Sequence, residues 1–307
     1  MKAFGPDTTT DDVLDGVDLT GRTALVTGVT SGLGGETARA LAASGATVIL
    51  TARDGDAAAV VADGIREVVP GAELLVTALD LANLSSIRAT AESLSGQPID
   101  LLINNAGVMY TPFERTADGF ELQFGTNHLG HFLLTTLLLP NLTAAAERSA
   151  TESRVVTVSS DAHRAHAVDL ADPNFLDRPY DKFVAYAQSK AANVLMTVEL
   201  QKRYADGGIN SYAVHPGVCA TGLSRYMSRD DFAEMKAMSA GKPGLLSNLK
   251  SIPAAAATSV WAATAAELES AGGVYLADCA ADRASAHAVD PVTAEKLWEL
   301  SEQLVAR

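Results

Sequence analysis

The sequence predicts an α/β fold: a doubly wound, mainly parallel sheet of about seven strands, helices on both faces, in a single domain. Two observations carry that expectation. Short apolar runs recur along the 307 residues with helix-period stretches between them, and strands that alternate with helices build right-handed βαβ units. The first such run passes straight into Gly28-Val29-Thr30-Ser31-Gly32-Leu33-Gly34-Gly35 and then into a helical stretch. Strand, glycine-rich turn and helix, in that order, aim backbone N–H groups and a helix N-terminus at a phosphate.

Taken in order, strands are expected at 23–27, 46–51, 73–78, 99–103, 154–158, 209–214 and 274–276, and helices at 120–139, 180–204 and 254–269, among others. Residues 1–20 are polar and acidic, neither a signal peptide nor a membrane anchor, and read as an extension before a domain at 21–307. No apolar run approaches the 18 or so residues that a membrane span needs. The net charge of −14 argues against nucleic acid or an anionic membrane as the main partner. Two cysteines far apart, Cys219 and Cys279, imply no disulfide framework and point to a reducing cytoplasm.

Tyr186 and Lys190 lie four positions apart, so on a helix they share a face. A phenol beside an ammonium ionises more readily, which makes a tyrosine a useful proton donor and acceptor near neutral pH. Such a pair alone is weak evidence, and a helix-surface contact is its plain alternative. Its company makes it specific. Asn104-Asn105-Ala106-Gly107, Ser159-Ser160 and His215-Pro216-Gly217 each end an expected strand, where ligands of such sheets sit. With Thr27-Gly28 to Gly34, these motifs make the chain resemble the short-chain dehydrogenases/reductases, with a Rossmann-type sheet, from about residue 20 to about residue 280.

The resemblance implies an oxidoreductase that interconverts an alcohol and a ketone or aldehyde. Tyr186 would be the general acid/base, Lys190 would lower its pKa and bind the nicotinamide ribose, and Ser160, with Ser159 as its neighbouring alternative, would hold the substrate oxygen. Asn127 resembles the residue that kinks its helix and holds a water of the proton relay. The cofactor would touch Gly28, Thr30, Ser31, Gly32, Leu33, Gly34, Asp80, Leu81, Asn105, Ala106, Gly107, Tyr186, Lys190, Pro216, Gly217, Val218 and Thr221. Relatives that use NAD carry an acid at the end of the second strand. Here Ala52 and then Arg53 stand there, and an arginine attracts a 2′-phosphate that an acid would repel, so NADP(H) is expected. Pairing of Arg53 with Asp54 is the competing reading.

The interval between Ser160 and Tyr186 is about twice that of simple family members. Its extra segment, 163–183, reads as a loop, as in retinol dehydrogenase-like and protochlorophyllide reductase-like members. Asn127-His128-Leu129-Gly130-His131-Phe132 and Gly272-Gly273-Val274-Tyr275-Leu276 also resemble the retinol dehydrogenase branch, which implies a bulky apolar substrate. Residues 222–252, with Tyr226, Met227, Phe232, Met235 and Met238, read as a substrate lid or, equally, as a core-facing helix. His128/His131 and His163/His166 have a spacing that could face one ion, but no third ligand accompanies them, so no metal is expected. Two other functions fit the same motifs: NADPH-dependent reduction of an activated carbon–carbon double bond, and NADP(H) sensing without catalysis. Family members also assemble as homodimers or homotetramers through their long central helices.

Overall fold

The computed structural model describes residues 4–149, 151–238, 249–269 and 271–306. The chain opens with α1 (Thr10–Leu14), then alternates through β1 (Thr23–Thr27), α2 (Leu33–Ala43), β2 (Thr47–Ala52), α3 (Gly55–Val68), β3 (Leu74–Ala78), α4 (Leu84–Ser93) and β4 (Leu101–Asn104). Next come α5 (Leu122–Phe124), a π-helical turn (Gly125–Leu129), α6 (Gly130–Leu137), α7 (Leu139–Ser149) and β5 (Ser153–Val158). After a 3₁₀ turn (Asp161–Arg164) follow α8 (Lys182–Tyr204), a second 3₁₀ turn (Ala205–Gly207), β6 (Ile209–His215), a third 3₁₀ turn (Gly222–Tyr226) and α9 (Arg229–Met238). The chain closes with α10 (Ile252–Thr264), β7 (Val274–Ala277), β8 (Ala280–Asp282) and α11 (Pro291–Val305).

The sheet has eight strands in the order β3-β2-β1-β4-β5-β6-β7-β8. Seven run parallel, and β8 pairs antiparallel with β7. That last strand is absent from the sequence expectation. The β7–β8 hairpin turns on Asp278 and Cys279, with φ of 51° and 54°. Two left-handed residues make the turn that fits strand twist, but Asp-Cys lacks the glycine that usually announces it.

Alternate residues of the strands feed two cores. Ala24, Val26, Val48 and Leu50 face α2, α3 and α10, packing with Ala38, Ala62 and Trp261. Leu25 and Ile49 face the other layer, where Ile87, Phe132, Leu195 and Trp298 come from α4, α6, α8 and α11. The stretch expected as an extension is part of the first core: Val13, Leu14 and Leu19 are buried in it. Thr9 caps α1 in a reciprocal pair with Asp12.

The expected helix at 120–139 is interrupted by the π turn, and the one at 254–269 stops at Thr264, with a 3₁₀ turn at Ala266–Leu268. Between β1 and β4 the connections diverge to opposite sides of the sheet, which leaves a crevice above the strand carboxyl ends. Among the described residues no single helix is long and apolar enough to cross a membrane.

Candidate active site

A cavity of about 480 Å³ fills that crevice, from Arg53 and Asp80 at one end to Tyr186, Ser160 and Tyr226 at the other. Its floor is the turn after β1. Gly28 has φ of 72°, and a Cβ on it would lie 2.8 Å from Ala106. A Cβ on Gly34 would lie 2.4 Å from the Gly28 carbonyl oxygen. Only glycine lets the turn, the Asn105–Gly107 loop and the start of α2 approach this closely. Thr27 locks the two loops: its Oγ1 accepts the N–H groups of Asn105 at 2.9 Å and Ala106 at 3.0 Å.

The side chains expected to react come from α8 and from the residues that follow β5. Asp181 caps α8, which is buried along residues 185–197 and brings Tyr186 and Lys190 to the cavity. Lys190 Nζ donates to the Val158 carbonyl at 2.9 Å, and burial lowers its pKa to about 8. Tyr186 is 4% exposed. Burial raises its pKa above that of a free phenol, Tyr110 adds to the rise, and hydrogen bonding to Ser160 opposes it. The expected depression by Lys190 is therefore not what this pocket produces: the lysine is itself desolvated and engaged with a carbonyl. Ser159 donates to the Lys190 carbonyl at 2.8 Å, whereas Ser160 faces the cavity at the head of the 3₁₀ turn.

Asn127 sits in the π turn, fully buried behind the cavity wall. Its Nδ2 donates to the Val108 carbonyl at 2.9 Å and to Ser189 at 3.0 Å, and its Oδ1 accepts the Val108 N–H at 2.8 Å. Its main-chain carbonyl, which the π turn frees from the ordinary helix pattern, is met by His131 Nδ1 at 3.0 Å. His131 Nε2 lies 2.9 Å from Thr27 Oγ1, whose lone pairs are taken by two N–H groups, so the hydroxyl donates and the imidazole is neutral. Burial lowers its pKa to about 4, against the Asn127 carbonyl.

The model of the short chain dehydrogenase family matches residues 22–231. The chain belongs to that family. It is 41% identical to Retinol dehydrogenase 12 of Homo sapiens over 94% of this chain and 88% of that protein. Similarity to Short-chain dehydrogenase TIC 32 A, chloroplastic, of Brassica napus is 38% over 98% of this chain and 94% of that one. Among solved structures, an uncharacterised protein from Mycobacterium paratuberculosis superposes with a TM-score of 0.75 at 36% identity, covering 97% of both chains. The NADP complex of RhlG from Pseudomonas aeruginosa has a TM-score of 0.64 at 26% identity, over 85% of this chain and 95% of that one. The fold, the glycine turn and the similarity to retinol dehydrogenases agree on an oxidoreductase of the retinol dehydrogenase-like branch.

Short-chain dehydrogenases use nicotinamide cofactors, and the residues present fit one: a Cβ at Gly28 or Gly34 would close the cradle that backbone N–H groups open to phosphate. Most of the residues expected to touch the cofactor line the cavity; Gly32 and Gly34 lie just behind its surface. Arg53 makes no ion pair or hydrogen bond among the described residues, and Asp54 spends its carboxylate capping α3. Asp80 Oδ1 accepts the Ala82 N–H at 2.9 Å, holding its own turn.

Sequence reading missed Tyr110. Its φ is 53°, it lines the cavity, and its ring stands edge-on to Tyr186 at 5.1 Å and against Phe183 at 4.5 Å. No spacing or periodicity in the sequence marks it, and its left-handed backbone shows only in the fold. Of the segment expected as a loop, 163–183, residues 165–181 are irregular after the 3₁₀ turn, whereas Lys182 and Phe183 already belong to α8. In the expected lid, Phe232 is 39% exposed, so it faces solvent and not a core. The Met235 and Met238 side chains and the run Gly241-Lys242-Pro243-Gly244 lie outside the described residues. The histidine pairs are engaged elsewhere: His128 Nε2 lies 2.9 Å from Ser301 Oγ, and His166 is exposed. Among the described residues no group of three or more His, Cys, Asp or Glu is arranged to hold a metal.

Proposed function

We propose that this short-chain dehydrogenase is an NADP(H)-dependent oxidoreductase that interconverts a bulky apolar alcohol and the matching ketone or aldehyde. The observation that carries the reading is the convergence of Tyr186, Ser160 and Lys190 on one cavity whose other end is Arg53, an arginine with no hydrogen bond or ion pair among the described residues. The turn from Gly28 to Leu33 would hold the pyrophosphate, Arg53 the 2′-phosphate and Lys190 the nicotinamide ribose. A bound nicotinamide supplies or accepts the hydride.

The chain's own part is proton management and positioning. Burial keeps the Tyr186 phenol protonated at neutral pH, which suits it to give a proton to a carbonyl oxygen held by the Ser160 hydroxyl. Met109, Tyr110, Leu122, Leu223 and Tyr226 give the substrate end an apolar lining, which supports a bulky apolar substrate. The names of the retinol dehydrogenase relatives fit the same class. The free thiols Cys219 and Cys279 support a reducing compartment such as the cytoplasm.

The test is NADPH oxidation against aldehydes and ketones from small and polar to bulky and aromatic, with Tyr186→Phe in parallel. Turnover is expected on the bulky apolar members and lost in the variant. Better turnover of small polar ketones or sugars would sink the substrate class. Tight NADPH binding without carbonyl turnover, and a product that keeps its carbonyl, would favour reduction of a carbon–carbon double bond.

A further inference from the structure

His163 is wholly buried in the 3₁₀ turn that begins one residue after Ser160. Its Nδ1 lies 2.7 Å from the Ser160 carbonyl oxygen, which also accepts the His163 N–H at 3.1 Å. On the far side of the ring the Ser285 N–H donates to Nε2 at 3.1 Å. A backbone N–H can only donate, so Nε2 is the bare nitrogen and Nδ1 carries the proton that Ser160 receives. The tautomer is thus set by a residue from the other end of the chain. His287 closes the clamp, its Nε2 lying 2.9 Å from the His163 carbonyl oxygen, and the Tyr275 ring covers the imidazole at 4.7 Å.

The surrounding charges agree with a neutral ring. Burial lowers its pKa against the Ser160 carbonyl and Asp161, while Arg164 and His287 push the same way as burial. Asp161 is itself occupied by Arg164 at 3.0 Å and by the Tyr275 hydroxyl at 3.2 Å, and Arg164 reaches on to Asp282 at 3.0 Å.

We infer that His163 is a positioning residue for Ser160, and that the segment from β8 to His287 is the clamp that holds it in the required tautomer. The inference rests on the proposed role of Ser160. A histidine that merely fills the core would tolerate loss of either hydrogen bond equally; one that aims Ser160 depends on the bond to the Ser160 carbonyl.

Asparagine can place an N–H where Nδ1 stands, and glutamine reaches the place of Nε2, so His163→Asn and His163→Gln separate the two bonds. Ser285→Pro removes the backbone donor together with the hydroxyl that lies 3.1 Å from His287 Nε2, at a residue whose φ of −66° suits proline, so it opens the clamp while leaving the bond to the Ser160 carbonyl in place. The measurements are kcat and KM with NADPH and the best carbonyl of the panel, NADPH Kd by fluorescence, and Tm, with Ser160→Ala as reference. His163→Gln should lower kcat roughly 10- to 100-fold, the cost of misplacing a group by about 1 Å, with NADPH Kd unchanged. His163→Asn should keep kcat within about threefold of the parent, and Ser285→Pro should lower it roughly tenfold. Equal kcat in the Asn and Gln variants, or losses that only track the folded fraction, would overturn the inference while Ser160→Ala is impaired. An unimpaired Ser160→Ala, or a parent that turns over no carbonyl, would overturn the reading of the site and this inference with it.

Discussion

Lys190 stands one helical turn beyond Tyr186, yet its ammonium lies 5.7 Å from the centre of the phenol ring and donates to the Val158 carbonyl at 2.9 Å. Both side chains are buried, so each is pushed toward its neutral form: the lysine down to about 8, the tyrosine up. The pair as it stands stores a proton on Tyr186 and holds a charge on Lys190 that the surrounding protein disfavours.

That has a consequence for stability without cofactor. An unfolded lysine titrates near 10.5, the folded one near 8, so between those values the unfolded chain binds more protons and stability rises with pH. The full rise is roughly 3 kcal/mol, at about 1.4 kcal/mol for each pH unit that separates the two values. Above about pH 10 the unfolded phenol loses its proton while folded Tyr186 keeps it, and stability falls again. Urea midpoints of the parent should climb from about pH 7 to about pH 10, and those of Lys190→Met should not. Parallel curves for the two proteins would show that Lys190 is not the group responsible.

Arg53 makes no hydrogen bond or ion pair among the described residues that its removal could break. Arg53→Ala should therefore leave Tm unchanged and lower kcat/KM for NADPH by roughly 10- to 100-fold, the worth of a charge-assisted contact of about 1.5–3 kcal/mol. NADH should be used as before. Equal efficiency with both cofactors in both proteins would remove the 2′-phosphate from the account.

Much of this was legible in the sequence because the informative residues sit at strand ends. Gly28, Asn105, Ser160 and His215 each follow or close a short buried strand, and strand ends are where a parallel sheet exposes its chemistry. Other features depend on contacts between distant segments. The Ser285 N–H on His163, the Thr27 hydroxyl on His131 and the Tyr110 ring on Tyr186 leave no periodic trace. The histidine pairs have metal-like spacing, and local spacing carries no record of the backbone groups that meet His131 and His163. The eighth strand was missed because three residues after a two-residue turn without glycine show no alternation to read.

Two glycines give opposite expectations for alanine. Gly34 lies in the first turn of α2, where alanine would be the better helix former, but its Cβ would come within 2.4 Å of the Gly28 carbonyl oxygen. Backbone against backbone cannot yield cheaply, so Gly34→Ala should cost about 1–3 kcal/mol and weaken NADPH binding at least tenfold. Gly64, inside α3, has nothing within 4 Å of a built Cβ. Gly64→Ala should stabilise by about 0.5–1 kcal/mol without touching cofactor affinity. Thermal unfolding with and without NADPH measures both, and a Gly34→Ala protein that binds normally would mean that the turn is not the phosphate cradle.

The insertion meets the pocket through Tyr180. Its hydroxyl accepts Gln123 Nε2 at 2.8 Å and lies 3.0 Å from the Thr111 carbonyl and 3.2 Å from Glu121 Oε1. Gln123 Oε1 in turn accepts the N–H of Tyr110, the left-handed residue beside Tyr186. Tyr180→Phe keeps the ring contacts to Phe113 and Phe175 and removes one oxygen. Buried partners left short of a hydrogen bond cost about 1–3 kcal/mol, so Tm should drop by several degrees. Because the loosened wall touches substrate and not the glycine turn, KM for the carbonyl should rise while NADPH Kd stays constant. A variant with lower Tm but unchanged KM would confine Tyr180 to anchoring the loop, and the wall at Tyr110 would then be held by Phe183 instead.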